Sequence, residues 1–115
     1  MDNSEVILSN IFNRKSVRNF TDKKVDKADL LTIIKAGMSA PSAWNLQPWE
    51  FIVFDDMKTI DWMVNLHDYS KMFKTATAGI VVCGNMDKTI EGFEDFWIQD
   101  CSAATQNILL AIEAL

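Results

Sequence analysis

Arg14, Lys15, Ser16 and Arg18 stand together, interrupted only by Val17. Three cations and a hydroxyl so close suit a phosphate. A guanidinium offers a planar fork of donors, an ammonium a point charge, and a serine a compact hydroxyl. The cluster also has a purely structural reading, because cations at a helix C-terminus meet the negative end of the backbone dipole. A second group lies in Pro41-Ser42-Ala43-Trp44-Asn45-Leu46-Gln47-Pro48-Trp49. Its two prolines restrict the backbone, and Ser42, Asn45 and Gln47 can present short polar groups to a polar ring system at low entropic cost. The alternative is a turn-rich connector that satisfies its own backbone. A third group runs from Asp100 to Asn107 as Asp-Cys-Ser-Ala-Ala-Thr-Gln-Asn. Small residues line one face there, so another helix or a ligand can approach closely.

Other chemistries have less to stand on. His67 has no Cys or carboxylate cluster at ligand spacing, and reads as a helix-surface residue rather than a metal ligand. Cys83 and Cys101 lie in apolar segments, where a reduced thiol behaves as a small hydrophobe. No Gly-rich phosphate loop or nucleophile elbow occurs. Trp44, inside the proline-bounded loop, is the one tryptophan that suits a substrate-pocket wall; the others suit core and interfaces.

The elements that must position these groups follow from periodicity. Asn3 or Ser4 can cap a first helix carrying Val6, Ile7, Ile11 and Phe12, which leads into Arg14. Asp26 is a cap for a second helix with Leu30, Leu31, Ile33, Ile34 and Met38 as its apolar stripe. Pro41 ends that helix by holding Ala40 extended. The stretch from Pro41 to Pro48 reads as an ordered loop. Phe51–Phe54 and Ala78–Cys83 read as buried strands. Met57, Ile60, Met63, Val64 and His67 suggest a helix between them. Trp97, Cys101, Ala104, Ile108, Ala111, Ile112 and Leu115 mark a final helix.

Length and charge narrow the classes. The chain has 115 residues, 49% of them apolar, which fits one globular domain at most. Its formal net charge is −5, against nucleic acid or an anionic membrane as the main partner. The acidic start and the lack of a long apolar run lead us to expect a cytoplasmic protein. Two strands are marginal alone in water, and the last helix has no stop signal, so more chain is expected to belong to this domain.

Taken in order, Arg-x-Ser-x-Arg, Pro-Ser-x-x-Asn-x-Gln-Pro-Trp, a strand, and a helix bearing Ala-x-Gln-Asn-x-Leu-Leu-Ala resemble the N-terminal half of the FMN-dependent nitroreductase family. The resemblance covers nearly all of the chain, and it implies several things. The fold is α+β, with helices around a small, mainly antiparallel sheet, and residues 1–115 are the N-terminal part of a single domain. The protein is an intertwined homodimer with FMN at the subunit interface. Arg14, Lys15 and Ser16 hold the FMN phosphate and ribityl chain. Arg18 is the cation near the N1/O2 edge of the isoalloxazine. Pro41, Ser42, Ala43 and Asn45 form the loop that reaches the flavin of the other subunit, and Lys71 is a further flavin contact. The implied activity is reduction of a nitroaromatic, quinone or similar acceptor by NAD(P)H in a ping-pong hydride mechanism. A rival of another class is a non-catalytic remnant or dimerising module that keeps the motifs without the chemistry.

Overall fold

Asp2, rather than Asn3 or Ser4, starts the first helix. Its side chain accepts from the Glu5 N–H, and the Glu5 carboxylate accepts from the Asp2 N–H, both at 2.9 Å, so a capping box fixes the end. In the computed structural model, which describes residues 1–115, four helices and two strands follow in order. They are α1 (Asn3–Asn13), α2 (Lys27–Met38), β1 (Trp49–Phe54), α3 (Met57–Val64), β2 (Gly79–Gly84) and α4 (Phe96–Ala114). Short 3₁₀ turns occupy Ala43–Asn45, Asp68–Lys74 and Met86–Lys88. The architecture is the expected α+β class, with helices around a small antiparallel sheet.

The strands pair antiparallel, with Trp49 opposite Gly84, Phe51 opposite Val82 and Val53 opposite Ile80. β1 therefore opens before Phe51, because Trp49 and Glu50 also find partners. The strands are less buried than their apolar run suggests. Ile52 and Val53 are 56% and 40% exposed, and every residue of β2 is only partly covered. Alternation puts Trp49 and Phe51 on one face, against α4. There Ala40, Trp49, Cys101 and Ala104 form the core cluster, with Phe51, Val82, Trp97 and Ala103 around it. Gly84 lets the indole of Trp97 lie on the sheet, since a β-carbon at that position would overlap the ring.

α2 crosses α4 where Gly37 leaves room for Ile108, a β-carbon at 37 falling 2.9 Å from the Ile108 side chain. The Asn107 amide donates to the Ala36 carbonyl at 3.0 Å and fixes the crossing. The buried face of α2 is Leu30, Ile33 and Gly37; Leu31 and Met38 of the expected stripe point outward. α4 buries Cys101, Ala104 and Ile108, while Ile112 and Leu115 are exposed. α1 buries nothing, and Val6, Ile7, Ile11 and Phe12 are all exposed. Its one side-chain tie to the body is the Asn10 amide, which donates to the Leu110 carbonyl at 3.0 Å.

α3 ends at Val64, so His67 is not on it. His67 instead caps the Asp68–Lys74 turn, its Nδ1 accepting from the Tyr69 N–H at 2.9 Å. No helix is long and apolar enough to cross a membrane.

Candidate functional site

Arg14 closes α1. Its N–H donates to the Asn10 carbonyl at 3.2 Å, and its φ/ψ of −59°/128° sends the chain on without regular structure. Arg14 is half-buried; Lys15, Ser16 and Arg18 are exposed. The single ion pair in the chain joins Lys88 to Glu50 at 3.0 Å, so the three cations of this segment have no carboxylate partner. The cluster therefore lies just past the helix rather than inside its last turn. Arg14, at the C-cap, still meets the negative end of the helix, while Lys15 and Arg18 lie beyond it with their donors free for an anion. Downstream the segment is pinned. The Phe20 N–H donates to Thr75 Oγ1 at 3.0 Å, and the Thr77 hydroxyl donates to the Lys23 carbonyl at 2.8 Å.

The Pro41–Pro48 loop, expected to be ordered, has an unusual backbone. Trp44, Asn45 and Gln47 have φ of 52°, 54° and 50°. The left-handed region costs a residue with a β-carbon about 1–2 kcal/mol, least for Asn. Part of the compensation is internal. Ser42 Oγ accepts from the Gln47 N–H at 3.0 Å, the Ser42 carbonyl accepts from the Asn45 N–H at 3.0 Å, and Gln47 Nε2 donates to Asn45 Oδ1 at 3.2 Å. The rest comes from outside. Asp100 Oδ1 accepts from the Ala43 N–H at 3.0 Å. Trp44 meets the rings of Phe93 and Phe96 edge-on, with centroids 5.3 and 5.6 Å away. Pro48 and Trp49 are buried, and the Pro48 carbonyl accepts from the Asn85 N–H at 2.7 Å. Both readings of the loop thus hold in part. It satisfies much of its own backbone, yet it is held in a shape that its local sequence does not favour.

Lys71 lies elsewhere. Its Nζ donates to the Val64 carbonyl at 3.2 Å, closing the end of α3. No hydrogen bond or ion pair within the chain joins Lys71, the 14–18 segment and the Pro41–Pro48 loop. The Asp100–Asn107 stretch serves close packing, as its small residues allow, with Cys101 and Ala104 against Trp49 and Ala40. Both cysteines are free, with Cys101 buried and Cys83 only half-buried. Burial, then the Asp100 charge, then Cys83 push the Cys101 thiol above its ordinary value. An apolar groove of about 520 Å³ lies between α2, β2 and α4, lined by Leu30, Ile33, Phe73, Ile80, Ile108 and Ile112 among others. It includes none of the site residues read from the sequence. Sequence reasoning singles out the Asp100–Asn107 stretch for close packing but not the bond of Asp100 to the loop, and it misses Phe93 and Phe96 as partners of Trp44; the available signal was a lone acid on a helix face otherwise built of small residues.

Comparison with known proteins gives these residues a context. The sequence model of the Nitroreductase family matches residues 11–74, more than half of the chain. A protein of Archaeoglobus fulgidus, provisionally named an NADH dehydrogenase/NAD(P)H nitroreductase, is 43% identical over 96% of this chain and 63% of its own length. Among solved structures, a Desulfovibrio desulfuricans protein in complex with FMN aligns with TM-score 0.88 at 31% identity, over 99% of this chain and 64% of that one. The FMN-dependent nitroreductase of Clostridium difficile R20291 aligns with TM-score 0.78 at 32% identity, over 93% of this chain and 60% of that one. The chain thus spans less than two thirds of the relatives it matches.

Proposed function

The chain belongs to the nitroreductase family, and from that premise we propose that it is the N-terminal part of a single FMN-binding domain of an NAD(P)H oxidoreductase. The observation that carries this reading is the 14–18 segment: half-buried Arg14 and exposed Lys15, Ser16 and Arg18 in one short stretch, the cations without a carboxylate partner. That donor set fits a phosphate with an adjoining polyol chain. Arg14, Lys15 and Ser16 would hold the phosphate and ribityl end. Arg18 would lie by the N1/O2 edge of the ring and favour negative charge there. Pro41, Ser42, Ala43 and Asn45 would meet the ring of the cofactor in the other subunit of a homodimer, with Lys71 as a further contact.

The chemistry that FMN supplies when bound is two-electron hydride transfer, from NAD(P)H in one half of a ping-pong cycle and to a nitroaromatic, quinone or similar acceptor in the other. The protein's own part is to bind, orient and tune. No side chain here needs to act as a nucleophile. Trp44, 58% exposed at the loop tip, would wall the acceptor pocket. Exposed apolar faces on α1 and along α4 support pairing with further protein surface.

The test is direct. The complete protein to which this part belongs is purified and titrated with FMN, its flavin absorbance is recorded, and NADH and NADPH oxidation are followed with a nitroaromatic and a quinone. Stoichiometric flavin with acceptor-dependent oxidation is the expected result. A protein that takes up no FMN at millimolar concentration would refute the reading.

A further inference from the structure

We infer that Asp100 is a positioning residue for the Pro41–Pro48 loop, its carboxylate holding the Ala43 N–H so that Ser42 and Asn45 keep the conformation in which they meet the cofactor. The inference rests on the reading of that loop as flavin-facing. Asp100 sits on α4 and is 6% exposed. Its Oδ1 accepts from Ala43 N–H at 3.0 Å, and no cation pairs with it. Burying a carboxylate without a cation is a poor route to stability, because an uncharged side chain of similar shape would avoid the desolvation penalty. What the carboxylate does supply is a directional acceptor at one point of the loop.

That point matters because the loop's own bonds are only part of what holds it. Three of its residues with β-carbons are left-handed, and each has lower-energy conformations to relax into. The edge-on contacts of Trp44 with Phe93 and Phe96 anchor the loop tip but fix no single hydrogen-bond register. The Ala43 N–H lies between the two groups that matter. Ser42 precedes it, and Asn45 is bonded back to the Ser42 carbonyl. Releasing Ala43 frees both. α4 is packed into the core through Cys101, next in sequence to Asp100, so the clamp reads the position of the rigid body and passes it to the loop.

Two measurements test this. The first is amide exchange at Ala43 in the cofactor-free protein, followed by NMR. Asp100→Ala is expected to speed exchange at Ala43 by about tenfold, the scale of one lost hydrogen bond, while β1–β2 amides stay unchanged. Asp100→Asn keeps an oxygen acceptor and is expected to stay within about threefold of the native protein. The second is FMN affinity. Asp100→Ala should raise the dissociation constant about tenfold, and Asp100→Asn should not. Ala43→Pro removes the same bond from the donor side, and the extended Ser42 (φ −142°, ψ 153°) accommodates a following proline. The double variant should bind FMN no worse than the weaker single variant. Should Asp100→Ala fail to fold, the Asn and Pro variants still carry the comparison. Additive penalties, an Asn variant as impaired as the Ala variant, or unchanged Ala43 exchange would each overturn the inference. Absence of FMN binding in the native protein would overturn the flavin reading and with it the cofactor role of Asp100. The exchange measurement would still decide whether Asp100 fixes the loop.

Discussion

At the scale of single residues, the proposed flavin site gives the two arginines of the 14–18 segment separable tasks. Arg14 is half-buried at the end of α1, where its backbone is already fixed, so its fork of donors is offered at little further entropic cost. Arg14→Ala is expected to weaken FMN binding by about 1.5–3 kcal/mol, the range for hydrogen bonds to a charged group, as measured by titration of apoprotein. Arg18 is exposed and beyond the helix. A cation beside the N1 edge favours the reduced anionic ring over the neutral oxidised one. Arg18→Ala should therefore lower the two-electron potential more than it weakens binding, as read by spectroelectrochemistry. A potential that stays put or rises would remove Arg18 from the ring.

Elements set where those residues stand, and their ends and contacts can be tested. Asp56 caps α3, its Oδ2 accepting from the Thr59 N–H at 2.9 Å and from the Thr59 hydroxyl at 2.7 Å. The Thr59 side-chain bond first, then its backbone bond, hold the Asp56 carboxyl below its ordinary value. The folded chain then binds this proton less tightly than the unfolded one. The cap's contribution is complete above the unfolded value, near pH 4, and is lost as pH falls through the folded value. Asp56→Ala should lower Tm at neutral pH, and the difference from the native protein should shrink toward zero in acid. A pH-independent difference would assign the effect to something other than the carboxylate. In the sheet, Gly84 lies under the indole of Trp97. Gly84→Ala should cost about 1–3 kcal/mol in urea unfolding, because a ring packed on a strand cannot step aside cheaply.

At the scale of the whole molecule, the balance between covered and uncovered apolar surface decides behaviour in solution. Only 14 of 115 residues are buried, and large hydrophobics along α1, on β1 and at the end of α4 are exposed. A chain of this length with such surface should self-associate when expressed alone, in a concentration-dependent way, and bind a hydrophobic dye. Size-exclusion chromatography with light scattering checks this, and a monodisperse monomer that binds no dye would count against it. The same surface explains what the sequence could and could not reveal. The cations of the 14–18 run, the proline-bounded loop, the N-cap position of Asp26 (whose side chain makes no capping bond there) and the six main elements all follow from local rules: short-range electrostatics, fixed φ and hydrophobic period. The apolar stripes of α1 and α2 did not say which of their residues are covered, because periodicity marks a face and not its partner. Leu31 and Phe12 carry the same signal as Leu30 and Ile33, yet lie open. Nor did the sequence tie Asp100 to Ala43, since they are separated by 57 positions. That bond exists only because α4 packs beside the loop, and with it the left-handed turn at Trp44, Asn45 and Gln47, which the local preferences of Trp44 and Gln47 do not select.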